Sequence, residues 1–295
     1  TFTITAPSTI TWNWIAQYKL TVSSAHDSPN PGVGDTWYDT GTSVTASVTS
    51  PADESGGTRY RCTGWTGTGS VPSSGSSTSV TFTITAPSTI TWNWIAQYLL
   101  TVKTNGLPSP YTSAVSVGGS ATTDDYGVST INDGSANGWR KWFDASPSST
   151  GTIGVDSPVA GPTGTRYVFK DWSDASTVNP HATLTLTGPV TLTANYKTQY
   201  LVSFTQAGSA VAPTVTYTAN TDPTGTVPFT VWVKAGSDIS YDYQAIVPGA
   251  PGVQYVLTGV SPASPQTVNG PLTIVGTYKT QYLVSFTQAG SAVAP

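Results

Sequence analysis

A recurring stretch without turn residues divides this chain and constrains its fold. Its fullest copy, residues 89–102, reads Thr-Ile-Thr-Trp-Asn-Trp-Ile-Ala-Gln-Tyr-Leu-Leu-Thr-Val and contains neither Gly nor Pro. β-Branched and aromatic residues alternate along it, a pattern typical of β-strands. The absence of a turn signal predicts two strands fused end to end. About 14 extended residues at about 3.3 Å each form a stiff strut of about 45 Å, in contrast to a flexible Gly/Ser linker.

The stretch recurs, and its copies define tandem repeats. Looser copies occupy residues 191–196 and 273–278, and each copy runs into a Gln-Tyr pair that opens an apolar strand. Such regular self-similarity is the signature of a repeat architecture. We predict the closing strands of a preceding repeat at 1–17, repeat one at 18–97, repeat two at 98–199, repeat three at 200–281 and the opening strand of a following repeat at 282–295.

The strand pattern within each repeat predicts the fold class. Roughly six short strands per repeat, at a spacing of about 8–12 residues and without helical periodicity, are typical of a β-sandwich. Repeat two has a longer middle, residues 122–162, rich in Gly, Ser, Asn and Asp, which we interpret as an inserted surface loop. We therefore expect an all-β chain: a tandem array of small immunoglobulin-like β-sandwich domains joined by continuous strands into a rod.

Composition argues against several functional classes. Charged residues make up 9% of the chain, and its 11 Lys and Arg form no cluster, which argues against binding to nucleic acid or to an anionic membrane surface. The 10 Trp and 15 Tyr argue against disorder. No apolar run is long enough for a membrane-spanning helix. Cys62 is the only cysteine; we interpret it as a small buried hydrophobe, with an intermolecular bridge as the alternative.

The two ends of the sequence copy its interior. Residues 1–18 are identical to 81–98, and residues 278–295 are identical to 196–213. Strands without a sheet of their own need partners for their backbone groups. Continuation of the polypeptide as near-identical repeats is the preferred explanation, and donor-strand complementation between subunits is the alternative. Both predict identical repeats or subunits as partners in a head-to-tail fibre.

A set of glycine and aromatic motifs resembles a known family. The motifs are Tyr38-x-x-Gly41-Thr42-x-Val44, Gly57-Thr58-Arg59-Tyr60, Gly64-Trp65-x-Gly67, Gly164-Thr165-Arg166-Tyr167, Trp172, and the closing pairs Asn93-Trp94, Asn195-Tyr196 and Thr277-Tyr278. Through them repeats one and two, and the ends of repeat three, resemble secreted tandem β-repeats that are divergent relatives of the internalin B-repeat. The resemblance implies bacterial or archaeal surface proteins, adhesins and stalks, without catalytic chemistry. Members nearer the type sequence carry a short helix, which no residues here supply.

Few residues carry reactive chemistry. His26 and His181 are the only histidines, and neither has a second ligand at a metal-binding spacing, so we expect solvated loop histidines. Asp124, Asp125 and Asp133 in the insertion are candidate calcium ligands; hydrogen bonds that stabilise turns are the favoured alternative. No nucleophile or phosphate-binding motif is present. We expect no enzyme activity and no cofactor.

Aromatic residues supply the remaining candidate sites. We expect a group of residues at the joints between repeats: Trp92, Trp94, Gln97, Tyr98, Tyr196, Gln199, Tyr200, Tyr278, Gln281 and Tyr282. Exposed tryptophans stack against sugars, and the candidates are Trp37, Trp65, Trp139, Trp142 and Trp232. Trp65 and Trp172 recur at one position of successive repeats, which predicts core residues. The segment Trp139-Arg140-Lys141-Trp142 is a candidate contact for a surface glycan or protein partner, and capping of the core is the alternative.

These observations lead to two hypotheses about function. The first is a structural segment or subunit of an extracellular or cell-surface filament, stalk or adhesin shaft built of head-to-tail β-domains. The alternative is a set of carbohydrate-binding accessory domains of a large secreted hydrolase, which requires an exposed aromatic platform. The two hypotheses differ in the surface that they require.

Overall fold

The computed structural model describes residues 1–145, 150–218 and 224–290, and within them it is all-β. Strands of repeat one and its joint are β1 Gln17–Ser24, β2 Gly34–Asp39, β3 Ser43–Ser47, β4 Ala52–Ser55, β5 Thr58–Thr68, β6 Ser74–Gly75, β7 Ser79–Thr83 and β8 Ser88–Asn105. Those of repeat two are β9 Ser113–Val117, β10 Ser120–Ala121, β11 Thr130–Ile131, β12 Trp139–Asp144, β13 Ile153–Val155, β14 Val159–Ala160, β15 Thr165–Trp172 and β16 Val190–Ala207. Those of repeat three are β17 Thr214–Thr218, β18 Thr224–Thr226, β19 Phe229–Lys234, β20 Asp238–Tyr243, β21 Ile246–Pro248, β22 Val253–Ser261, β23 Gln266–Thr267 and β24 Leu272–Tyr282.

The described residues form two compact units. The first comprises Thr1–Thr101, Arg140–Gly151 and Thr183–Thr191, and the second comprises Val102–Trp139, Thr152–Ala182 and Leu192–Pro295. Parts of repeat two thus belong to each unit. Among the described residues no helix has the length and apolarity needed to cross a membrane.

The first unit contains a mixed sheet with the strand order β2-β1-β8-β5. β1 pairs antiparallel with β2 and parallel with β8, so the first and last strands of repeat one are neighbours that run in the same direction. β5 pairs antiparallel with β8 from Thr58 opposite Tyr98 to Thr68 opposite Thr89. Immunoglobulin sandwiches are built of antiparallel sheets, and the parallel pair distinguishes this sheet from them.

The core of repeat one lies between this mixed sheet and a second layer. The second layer is the antiparallel pair of β3 and β7. Alternation along each strand directs Leu20 and Val22 of β1 and Val44 of β3 into one hydrophobic cluster, to which Ile90 and Trp92 of β8 also belong. Trp65 is part of the same cluster. Burial of this cluster supplies the main stabilisation of the layer pair.

The second unit repeats this plan around repeat three. β16 pairs antiparallel with β19 and parallel with β24, while β22 pairs antiparallel with β24. Its second layer is a four-stranded sheet in the order β18-β17-β20-β23. Phe204 of β16 is fully buried between the layers and stacks on Phe229, with ring centroids 4.7 Å apart. The repeated unit of architecture is therefore a mixed sheet covered by a smaller antiparallel sheet.

The three repeats share an irregularity in the strand that faces the joint. The register of β5 shifts between Cys62 and Gly64 where it pairs with β8. β15 shifts between Phe169 and Asp171, and β22 shifts after Leu257, each at the corresponding place. A β-bulge increases local twist and redirects side chains. The irregularity is thus also present in repeat three, where sequence similarity is weakest.

Several sequence expectations need correction. The segment 122–162, expected as a surface loop, contains strands β11 to β14 and buried residues such as Trp139 and Ile153, apart from residues 146–149, which lie outside the described residues. The segment is mostly polar, but a few of its apolar residues are buried in the core. His181, expected as a solvated loop histidine, is buried and contacts Asp174. Residues 1–16 are exposed and form no strand.

Other expectations are confirmed. Trp65 and Trp172 are core residues, and Cys62 is a buried free thiol whose pKa is raised by burial. In contrast, the opening strand expected at 282–295 is not observed in its described part: β24 ends at Tyr282, and residues 283–290 lie outside any strand. Two stretches fall outside the described residues: 291–295 of the expected following strand and 219–223 of repeat three.

Candidate functional site at the repeat joints

An arginine of β5 forms the centre of a polar and aromatic site in the first unit. The guanidinium carbon of Arg59 lies 4.3 Å from the centroid of the Trp142 ring. Arg59 Nε donates a hydrogen bond of 2.8 Å to Gln97 Oε1, the residue directly opposite it on β8. Trp142 belongs to β12, which also pairs with β8. Cation–π stacking and a charge-assisted hydrogen bond thus hold one guanidinium.

A second arginine extends the site. Arg61 forms a fork with the carboxylate of Asp144: Nη2 lies 2.5 Å from Oδ2, and Nε lies 3.2 Å from Oδ1. Gln97 Nε2 donates a further hydrogen bond of 2.7 Å to Asp144 Oδ1. The hydrogen bond from Arg61 lowers the pKa of Asp144 and raises the pKa of Arg61. Gln97 therefore connects both arginine contacts, and it is buried despite its polarity.

The backbone that presents Arg59 requires glycine. Gly57 has a φ of +80°, and its carbonyl accepts a hydrogen bond from the Leu99 N–H at 3.0 Å. A Cβ at this position would lie 3.0 Å from Cβ of Pro189. Left-handed backbone and close packing both favour the residue without a side chain. The Gly-Thr-Arg-Tyr motif thus combines a turn, a close approach and an arginine.

The second unit contains the same site with altered charges. Arg166 lies 4.4 Å from the ring centroid of Trp232 and donates a hydrogen bond of 2.8 Å to Gln199 Oε1. Gly164 again has a positive φ, +73°, and approaches Pro271. Burial lowers the pKa of Arg166.

The second charged pair of the first site is replaced in this copy. Val168 stands where repeat one has Arg61, and Lys234 stands where β12 has Asp144. Both members of the pair thus differ between the sites, since valine replaces the arginine and lysine replaces the aspartate. Neither site therefore places an arginine against a lysine at this position. The arginine that stacks on tryptophan is common to both sites.

Repeat three carries half of the site. Gln254 replaces the arginine and donates a hydrogen bond of 2.8 Å to Gln281 Oε1. Among the described residues, the nearest neighbour to a Cβ added at Gly252 is Leu283 at 4.0 Å, in place of the proline found at Gly57 and Gly164. A groove of about 560 Å³ lies here, lined by Gly252, Val253, Gln254, Gln281, Tyr282 and Leu283. Tyr282 is 73% exposed.

Repeat one carries the opposite half on its first hairpin. Gln17 Nε2 donates a hydrogen bond of 2.8 Å to Asp39 Oδ1, as Gln97 does to Asp144. Trp37 of β2 lies opposite Lys19 of β1, two residues after Gln17. Trp232 of β19 lies opposite Leu201 of β16, two residues after Gln199, so the register is the same. Trp37 is 61% exposed, whereas Trp142 beneath Arg59 is 6% exposed.

The predicted joint aromatics are mostly structural. Trp92 and Tyr278 are buried, Trp94 is half-buried and donates to Ser24 Oγ at 3.0 Å, and Tyr98 and Tyr200 are half-buried. Tyr196 donates to the Asp156 carbonyl at 2.8 Å, and burial raises the pKa of Tyr196 to about 12. Of the predicted joint residues, Gln97 and Gln199 contact the arginine sites directly.

The candidates of the insertion are used within the fold. Trp139 is fully buried and donates to the Thr122 carbonyl at 3.1 Å, while Trp142 lies under Arg59; neither forms an exposed platform. Arg140 lies between them in β12 and is half-buried.

The sequence suggested Asp124, Asp125 and Asp133 of the insertion as candidate calcium ligands. Asp124 Oδ1 accepts hydrogen bonds from the N–H groups of Tyr126 and Val128, and Asp133 accepts from Thr104 and Gly106. Asp125 is exposed. Within the described ranges, no group of three or more His, Cys, Asp or Glu could hold a metal ion. Asp124 therefore serves the turn chemistry that was the favoured alternative, whereas Asp133 holds the distant segment at Thr104 and Gly106.

Arg59, Arg61, Arg166 and Trp232 were not predicted as joint residues. The signal was present, because Gly-Thr-Arg-Tyr recurs and a tryptophan recurs in β2, β12 and β19, but the two motifs are distant in sequence. The chain matches none of the family models and none of the curated proteins with which it was compared.

Proposed function

We propose that this chain is a structural segment of an extracellular filament, stalk or adhesin shaft, built of head-to-tail β-repeats. The observation that carries the proposal is the pair of 18-residue strands, β8 and β16, which close one repeat and open the next without interruption. Leu192 and Ala194 in the first half of β16 are buried, and Val202 and Phe204 in its second half belong to the core of repeat three. One strand thus serves two repeats. The resemblance to internalin-type B-repeats of surface proteins points in the same direction.

The topology suits a role under tension. The first and last strands of repeat one are parallel neighbours, paired from Leu20 opposite Ser88 to Ser24 opposite Trp92. The corresponding strands of repeat three are paired from Val202 opposite Leu272 to Ala207 opposite Thr277. Force applied to the start of one strand and the end of the other shears the ladder. The hydrogen bonds of a parallel ladder are evenly spaced along the strands, so shear loads all of them together.

The arginine sites supply side-chain connections at the same places. Arg59 of β5 with Trp142 of β12, and Arg166 of β15 with Trp232 of β19, each join a strand of one repeat to a strand of the next across the strand that the two repeats share. These contacts resist separation of β12 from β8 and of β19 from β16. We propose that continuous strands carry tension along the array, and that stacked arginines keep successive repeats in register.

The carbohydrate-binding alternative has less support. It requires an aromatic platform, but Trp65, Trp139 and Trp142 are buried and Trp232 is half-buried. Of the five candidate tryptophans, Trp37 is the one that is mainly exposed.

Negative-stain imaging of the native material tests the proposed function. Thin unbranched filaments or stalks with an axial repeat are the expected result. Short appendages on a globular catalytic body would contradict the proposal and favour the alternative. Mass measurement after strong denaturation then separates one long polypeptide from exchanged strands between subunits.

A further inference from the structure

The first hairpin of repeat one presents an open copy of the arginine site. Gln17, Trp37 and Asp39 form what we term the N-terminal face, and they correspond to Gln97, Trp142 and Asp144 of the occupied site. The backbone supports this correspondence: the Thr40 N–H bonds the Ala16 carbonyl at 2.8 Å, and the Ala145 N–H bonds the Ala96 carbonyl at 2.7 Å. Each donor lies three residues after its tryptophan, and each acceptor directly precedes its glutamine.

Identical sequences have opposite exposure at the two places. Ile10 and Trp12 are 55% and 79% exposed, whereas their copies Ile90 and Trp92 are 0% and 2% exposed. The buried copies lie opposite β5, the strand that carries Arg59. Among the residues that the structure describes, 1–16 form no strand, and none lies opposite them as β5 lies opposite β8.

We propose that the N-terminal face binds an extended Gly-Thr-Arg-Tyr-Arg strand of another repeat of the repeat-one type. This inference rests on the proposed head-to-tail function and specifies its partner. The first arginine of that strand stacks on Trp37 and donates its Nε to Gln17. The second arginine forms a fork with Asp39.

Charge selects this occupant over the other strands in the chain. Asp39 carries the charge of Asp144, which pairs with Arg61. Strand β15 of repeat two offers Val168 at that position and is matched with Lys234, and β22 of repeat three offers Gln254 in place of the stacking arginine. Arg-x-Arg against Trp-x-Asp and Arg-x-Val against Trp-x-Lys are thus two matched pairs. Matching by charge selects which repeats follow one another.

A lengthened chain tests the inference. One additional copy of residues 18–97 is inserted before Tyr18; the junction is unchanged because residues 1–17 repeat 81–97. The added copy carries Trp37→Phe, so that the original Trp37 is the reporter. Indole oxidation at each tryptophan is measured by peptide mass spectrometry.

We expect Trp37 to be oxidised about ten-fold more slowly in the lengthened chain, the ratio of the 61% and 6% exposed fractions of Trp37 and Trp142. The matched control carries Arg59→Ala and Arg61→Ala in the added copy, and it should restore fast oxidation. Slow oxidation at Trp65 verifies in the same spectra that each added copy is folded.

Three results would overturn the inference. The first is unchanged, fast oxidation of Trp37 in the lengthened chain. The second is equally slow oxidation of Trp37 in the double-alanine control, which would show that the arginines do not protect the ring. The third is protection of Trp37 in the original chain on adding oligosaccharide, which would assign the face to a glycan. Failure of the filament test would leave the Trp37 result unaffected, so the two proposals are tested separately.

Discussion

The guanidinium of Arg59 stacks on the ring of Trp142, and this contact joins two strands that both pair with β8. Arg166 and Trp232 repeat the contact almost unchanged. Recurrence of one geometry in two sequence contexts indicates that it is part of the repeat design. It also converts a diffuse motif into residues that can be tested.

Arg59→Ala should destabilise the first unit by about 1–3 kcal/mol, because it removes a cation–π contact and leaves Gln97 Oε1 without its charged donor. Arg59→Lys keeps the charge but loses the planar group that stacks and bonds at once. We expect the lysine variant to recover less than half of the loss. Urea denaturation measures both variants, and full rescue by lysine would show that charge alone matters.

The pair of Arg61 and Asp144 should make stability depend on pH in the acid range. The hydrogen bond that Arg61 donates to the carboxylate lowers the pKa of Asp144 from the usual 3.8. The stabilisation is therefore fully present above that value and is lost as the pH falls through the lower pKa of the folded state. Because both side chains are partly exposed, we expect about 0.5–1 kcal/mol. Asp144→Asn should abolish this component, and an unchanged acid dependence in that variant would refute the assignment.

Trp65 is predicted to be a major determinant of the stability of repeat one. It is buried, and its ring centroid lies 5.8 Å from that of Trp92. Trp65→Ala should cost about 3–5 kcal/mol through lost burial and cavity formation. Trp37→Ala is the matched control on an exposed tryptophan, and it should change stability by less than about 0.5 kcal/mol. Calorimetry on both variants decides, and equal effects would contradict the core assignment.

The strands could be predicted from the local sequence pattern, because the alternation of residue types and the lack of turn residues are local properties. The stretch 89–102 lies within β8, as its lack of Gly and Pro predicted. The parallel pairing of β1 with β8 depends on contacts between residues far apart in the chain, which periodicity does not encode. Arg59 and Trp142 were separately visible as motif residues, yet their contact requires knowledge that β5 and β12 pair with the same strand. The insertion was misinterpreted because its abundant Gly, Asn and Asp outweighed the few apolar residues that form its strands.

The joint between repeats one and two should be stiff. Replacing Ile95 and Ala96 with Gly-Gly introduces backbone freedom within β8 and removes a side chain half-buried there. We expect the variant to lose no more than about 1–2 kcal/mol of its unfolding free energy and to become more flexible by small-angle scattering. An original chain that already scatters as freely jointed bodies would refute the stiff joint.

The central claim, that parallel first and last strands bear tension along the array, is tested most directly by single-molecule force measurement. Pulling the chain from its two ends should shear the β1–β8 and β16–β24 ladders and give distinct high-force peaks. A control with cysteine handles at Gln17 and Asp39, in a Cys62→Ala background, opens the β1–β2 hairpin from its paired end, where bonds break one at a time. We predict a several-fold lower force for that geometry. Extension of the chain from its ends without force peaks, or at the force of the hairpin control, would contradict the account.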